Sequence, residues 1–172
     1  LRAAKPRFPR GTLRALQPIE CGWLHQGEIG QLIAAEASGP PLTLSGTRLQ
    51  SALYLNELLT RLLVRHDPHP ALFATYSDLL TRLPLDPASL GFSLRRFEMR
   101  VLAELGYGID FAVDSSTQEV VRPRGRYRII PEHGVIAARD LDVDSVSGAA
   151  LMALHAGQLP GATELRELKH MM

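Results

Sequence analysis

The hydrophobic period of this chain first changes across residues 38–46, "SGPPLTLSG". Before that stretch Ile19, Cys21 and Trp23 alternate in "PIECGW", "HQGE" reads as a turn, and "IGQLIAA" is a second apolar run. A period of two with a turn between predicts an antiparallel hairpin. After it, Leu49, Ala52, Leu53, Asn56, Leu59, Leu62 and Leu63 recur at helical spacing in "TRLQSALYLNELLTRLLVR". A chain that segregates its strands from its helices in this way belongs to the α+β class. The expected organisation is a β segment over residues 1–38, a linker at 39–46 and a mainly helical domain at 47–172, interrupted by a small β-hairpin insertion at about 109–144. Two or three strands are too few for a complete small barrel, which needs five, so the first segment reads as part of one.

Within the helical domain, "HDPHP" closes the first helix and Pro70 suits the first turn of a second, whose stripe is Leu72, Phe73, Tyr76, Leu79, Leu80 and Leu83. "PLDPASLGF" reads as a loop. A third helix follows, capped by Ser93, with Leu94, Phe97, Val101, Leu102 and Leu105 on one face and Gly106 as its left-handed stop. "YRIIPEHGVIAAR" predicts a hairpin turning at Glu132, His133 and Gly134, and two more helices are expected at 147–156 and from about 162. The chain opens on Leu1 inside a basic, Pro-interrupted stretch and ends on Met171 and Met172 within a helical pattern, so further residues are expected on both sides.

Composition narrows the function classes. The apolar content of 45% fits a globular protein, and the single cysteine, Cys21, leaves no internal disulfide and no Cys-rich zinc site. The longest apolar runs fall far short of a membrane span and no leader pattern opens the chain, so a cytoplasmic location without membrane contact is expected. Neither a G-x-S-x-G elbow nor a phosphate-cradling G-x-x-x-x-G-K-[ST] loop occurs, and "GYG" at 106–108 lacks the third glycine and the preceding strand of a dinucleotide site. Cys21, in an alternating strand, reads as core. His66, Asp67 and His69 form the only close metal-ligand cluster; a small metal-dependent hydrolase built on them is the enzymatic alternative, although two prolines spoil the spacing that zinc motifs use. The expectation is a protein without cofactor or catalytic chemistry.

The net charge of +1 conceals two basic segments. Arg2, Lys5, Arg7, Arg10 and Arg14 lie in residues 1–16 with no acid among them, and "RPRGRYR" carries Arg122, Arg124, Arg126 and Arg128. In an extended strand those four arginines would share one face at intervals of about 7 Å, a row able to follow nucleic-acid phosphates. Pro123 and Gly125 weaken the strand, and such a row also serves to protect an edge. Asp140, Asp142 and Asp144 are the acidic counterweight. Arg95, Arg96 and Arg100 point away from the stripe of the third helix, near Glu98 and Glu104, which by spacing alone is a solvated face. A helical protein-interaction module without nucleic-acid binding is the second alternative.

"GTLRALQPI", "LYLNELLTRLL", "DPHPALFATY" and above all "LRRFEMRVLAELGYGIDF" together, in this order and spacing, resemble the RecO family of bacterial recombination mediators over nearly the whole chain. The resemblance implies an N-terminal OB-fold barrel followed by a helical domain with a small irregular insertion. It implies binding of single- and double-stranded DNA, annealing of complementary strands, and action with RecR and the single-strand-binding protein SSB in loading recombinase. Residues 1–38 would be the later part of the barrel and the basic arm a DNA-facing loop. Phe8 and Trp23 are the local aromatics for base stacking, though the alternation of Trp23 with Ile19 and Cys21 favours core. The resemblance makes Arg95 a carboxylate clamp for the acidic SSB tail, with Arg96 as a second contact. Many members carry four cysteines and zinc after the G-Y-G turn; here "GIDFAVDSSTQEVVRPRGRY" has none, so no metal is expected and the insertion must be held by packing alone.

Overall fold

Two strands, β1 (Ile19–Gln26) and β2 (Ile29–Ala37), pair antiparallel with Ile19 opposite Ala37, as the period of two requires. The register shifts between Gly22 and Trp23 and brings Trp23 opposite Leu32. The computed structural model describes Phe8 and residues 11–26, 29–138, 142 and 144–170. Contacts divide the chain into two compact units, Leu1–Ser45 and Gly46–Met172. In the first unit the described strands form no closed barrel.

One expectation for the hairpin fails. Cys21 is exposed, and Trp23 is 63% exposed and lies against the bare backbone of Gly30 on the neighbouring strand. Alternation buries a side chain only where a second layer covers that face, and among the described residues of this unit only Thr12 and Ala35 are buried.

The second unit contains helices α1 (Gly46–Leu62), α2 (Pro70–Arg82) and α3 (Pro87–Glu104), then strands β3 (Arg126–Ile130), β4 (Gly134–Ala137) and β5 (Val146–Ser147), then helices α4 (Gly148–Ala156) and α5 (Ala162–His170). The sheet is ordered β4-β3-β5, antiparallel throughout. The hairpin of β3 and β4 turns where the sequence indicates, with Glu132 and Gly134 at positive φ. β5, two residues long, has no periodic signal to announce it. Among the described residues no helix is long and apolar enough to cross a membrane.

α3 packs against α1, α2 and α5 and begins earlier than its stripe suggests. The Asp86 side chain accepts a hydrogen bond from the Ser89 N–H at 2.8 Å, and Pro87 takes the first turn, where its missing N–H costs nothing. Residues 87–93, read as a loop and a Ser93 cap, are therefore helical, and the Ser93 hydroxyl donates to the Ser89 carbonyl instead. The loop reading followed its prolines and Gly91 and missed the Asp-Pro start. The helix ends as expected, with Gly106 at φ 88°. In α1 the buried residues are Ser51, Ala52 and Leu55, whereas Leu53 and Leu62 are exposed, so the burying face is rotated from the leucine stripe.

Phe92 of α3 joins Phe111, Val121, Tyr127, Val135, Val146, Leu151, Leu154 and Leu168 in the main core, which binds sheet, α4 and α5 together. Packing is not alone in holding the insertion. Buried Asp114 accepts from the backbone N–H groups of Ser116, Thr117 and Ala137 and from the Ser116 hydroxyl, tying one loop to β4. Burial works to raise this carboxyl, and the donated hydrogen bonds outweigh it, so its pKa lies below the ordinary aspartate value. The expectation of packing alone is thus corrected: a carboxylate with converging donors ties together a loop that has no cysteines.

Candidate functional site

The early start of α3 supplies one wall of an apolar groove in the helical unit. Pro87, Ala88, Gly91, Phe92 and Arg95 fall on one helical face and form one wall. Ala162, Leu165, Arg166, Leu168 and Lys169 of α5 form the other, enclosing about 440 Å³. Phe92 and Leu168 reach into the core beneath, so the groove stands on a fixed floor. Gly91 faces open space, where a larger residue would fill the groove. The lining is mainly apolar and its charged members, Arg95, Arg166 and Lys169, are all cationic. An apolar channel with convergent cations suits an extended acidic segment with a hydrophobic end.

Arg95 is held in place by its neighbours. Its Nη1 lies 2.5 Å from Oε2 of Glu98, one helical turn on, with the two side chains 30% and 10% exposed. The Tyr54 hydroxyl, from α1, donates to the other Glu98 oxygen at 2.7 Å. Burial, then the hydrogen bond to Glu98 and its charge, push the Tyr54 hydroxyl up to about 12. A neutral tyrosine therefore completes the carboxylate, and the carboxylate fixes the guanidinium. Sequence spacing set Glu98 on a solvated face; it is buried, because α1 covers it.

Arg96, one residue on, does not line this groove. It is exposed, rests against the backbone of Gly157 and borders a separate cleft with Arg82 and Arg100. The motif thus sends its two arginines to two places.

The arginine row is not a row. β3 starts at Arg126, while residues 122–125 form a turn closed by the Gly125 N–H to the Arg122 carbonyl at 2.9 Å. The carbonyls of Pro123 and Gly125 accept from Ala149 and Gly148, two of the orphan N–H groups that open α4. Arg126 turns inward, bonded to Glu167 at 2.5 Å and to the Ser145 hydroxyl at 3.1 Å. Arg128 lies 3.5 Å from Asp142 and Arg122 lies 3.4 Å from Glu119. Arg124 is exposed and, among the described residues, has no ion-pair partner. Turn and strand alternate differently, so shared facing of all four fails. In the first unit Arg14 is exposed beside Gly11; Arg2, Lys5, Arg7 and Arg10 lie outside the described residues.

The histidine cluster does not converge. His69 Nδ1 lies 3.3 Å from Glu104 and its Nε2 lies 3.6 Å from Asp67, so the carboxylates flank opposite sides of the ring. His66 is exposed at a left-handed turn. Among the described residues no three His, Cys, Asp or Glu side chains are placed to hold a metal ion. The geometry lends nothing to a hydrolase built there.

Tyr54, Gly91, Arg166 and Lys169 were not legible as site residues. A glycine inside a helix is the one available signal for a groove, and it was hidden by the loop reading of its segment.

Residues 44–151 match the protein family described as recombination protein O C terminal. Among curated relatives, the DNA repair protein RecO of Aromatoleum aromaticum is 39% identical over 166 residues, covering 95% of this chain and 68% of the relative. That of Azoarcus sp. is 39% identical over 171 residues, 95% of this chain and 69% of the relative, and that of Yersinia enterocolitica 37% over 160 residues, 93% and 66%. The chain belongs to the RecO family, whose role is DNA repair by recombination.

Proposed function

We propose that this chain is a non-enzymatic mediator that binds single- and double-stranded DNA, anneals complementary strands and acts with RecR and SSB to load recombinase. Its α3–α5 groove takes the acidic, Phe-ending tail of SSB. The first unit serves as the later part of an OB barrel, with the basic arm around Arg14 toward DNA. Arg122, Arg124 and Arg128 add phosphate contacts; Arg126 is withdrawn from that set because Glu167 and Ser145 occupy it.

The observation that carries this reading is Arg95, fixed by Glu98 at the side of an apolar groove whose other charges are also positive. A bidentate guanidinium recognises a carboxylate while the apolar floor receives the aromatic ring. Arg96 is a secondary contact at most, since it borders the other cleft.

The test is fluorescence anisotropy of a labelled SSB-tail peptide titrated with the parent chain and with Arg95→Ala. Saturable binding weakened at least tenfold in the variant, with DNA affinity retained, supports the reading. Equal peptide affinity in both would sink it.

A further inference from the structure

The cleft on the other side of the arginine pair encloses about 390 Å³ between α2 and α3. Its lining includes Arg82, Arg96 and Arg100, the hydroxyl residues Thr75 and Ser93, and one carboxylate, Asp78. Arg96 and Arg100 are four residues apart, so their Cβ atoms lie about 6 Å apart on one face. Arg96 has no ion-pair partner among the described residues, and its guanidinium is packed against the backbone of Gly157. The other two are held loosely: Arg82 pairs with Asp78 at 2.7 Å and Arg100 with Glu104 at 3.6 Å, both i,i+4 pairs with exposed guanidiniums. Surface pairs of this kind contribute little and exchange readily for a stronger anion.

We propose that this cleft is a phosphate-contact site for the sugar–phosphate backbone of DNA, distinct from the tail groove. Guanidiniums bind phosphate bidentately, and it is the three arginines that supply the donors here, since the Thr75 and Ser93 hydroxyls already donate to the carbonyls of Ala71 and Ser89. A nucleic-acid backbone, not an acidic peptide, is the occupant because three guanidiniums dominate this cleft and its apolar lining is limited to Leu79 and Phe97, whereas the mainly apolar groove that suits a hydrophobic-ended acidic segment lies on the opposite side. Consecutive helix positions lie about 100° apart, from 3.6 residues per turn, so the neighbouring arginines can serve the two ligands at once. The inference rests on the DNA-binding part of the proposed function.

The experiment measures affinity of the full chain for a labelled single-stranded oligonucleotide across a salt series, for the parent, the double variant Arg96→Ala/Arg100→Ala, the double variant Arg96→Lys/Arg100→Lys, and Arg95→Ala. Each phosphate contact contributes about 0.7 to the slope of log affinity against log salt on single strands. The alanine pair is expected to lower the slope by about 1 to 1.5, while the lysine pair and Arg95→Ala keep the parental slope. A parental slope in the alanine pair overturns the cleft and leaves DNA binding elsewhere intact. Loss of affinity for an acidic peptide at unchanged slope also overturns it, in favour of a protein partner. Absence of salt-dependent binding by the parent overturns cleft and DNA reading together.

Discussion

Arg95 and Glu98 form an ion pair of 2.5 Å at the side of an apolar groove, and Tyr54 closes the far oxygen of the carboxylate. The pair converts a flexible guanidinium into an oriented one, which lowers the ordering cost of capturing a ligand carboxylate. Removing Glu98 is therefore expected to harm stability and, on the proposed reading, peptide binding as well. Glu98→Ala is expected to cost about 2–3 kcal/mol in denaturant unfolding, because Tyr54 and Arg95 lose a buried partner. Tyr54→Phe, which leaves the ion pair intact, is expected to cost about 1 kcal/mol and to weaken peptide binding only a few-fold. Equal peptide affinity in the parent and Glu98→Ala would show that Arg95 needs no orienting.

Glu167 ties α5 to the sheet by accepting from Arg126 and from the N–H and hydroxyl of Ser147. Burial works to raise its carboxyl, and these bonds together with the Arg126 charge outweigh it, so the folded pKa lies below the ordinary 4.5. A depressed carboxylate contributes stability that is fully present above its unfolded value and is lost as pH falls through the folded one. Asp114 has the same sign from an ordinary 3.8. Urea midpoints at about pH 7 and about pH 3 should show Glu167→Gln less stable by roughly 1–2 kcal/mol at neutral pH, with a flatter acid dependence than the parent.

The turn at residues 122–125 is expected to behave as structure and as charge in separable ways. Gly148 sits so close to the Arg122 carbonyl that any side chain would collide with it. Gly148→Ala is thus expected to cost about 3 kcal/mol or more by thermal unfolding, despite alanine's better helix propensity. Joint replacement of Arg122, Arg124 and Arg128 should leave the unfolding transition in place and lower the salt slope of DNA binding by about 2. Arg126→Ala should do the reverse, since its partners are Glu167 and Ser145.

Asp114 is expected to matter more than any other polar side chain of the insertion. Asp114→Ala leaves the N–H groups of Ser116, Thr117 and Ala137 without an acceptor, at a cost of about 2–4 kcal/mol. Hydrogen exchange at Ala137 would report the loosening directly.

Much of this fold is legible in the residues because local rules and tertiary packing agree. The hairpin of β1 and β2, Pro70 at the start of α2, Gly106 and Gly157 as stops, and the turn at Glu132 all follow from period and backbone preference. What escapes depends on contacts distant in sequence. Glu98 is buried because Tyr54, 44 positions earlier, covers it, and Arg126 turns inward because Glu167, 41 positions later, receives it. Trp23 alternates like a core residue yet is exposed, since period reports facing and not cover. Of the site, Arg95 came from a motif; the α5 wall has no local signal that it meets α3.

The groove itself is best tested where a gain of fold stability and a loss of function coincide. Gly91 lines it from within α3 and faces open space. Gly91→Leu should stabilise the helix by up to about 1 kcal/mol while its side chain fills the channel. Titration of the labelled SSB-tail peptide with this variant is expected to show binding lost or weakened at least tenfold, alongside an unfolding transition at or above that of the parent. Parental peptide affinity in a fully folded Gly91→Leu chain would contradict the α3–α5 groove as the site of tail capture.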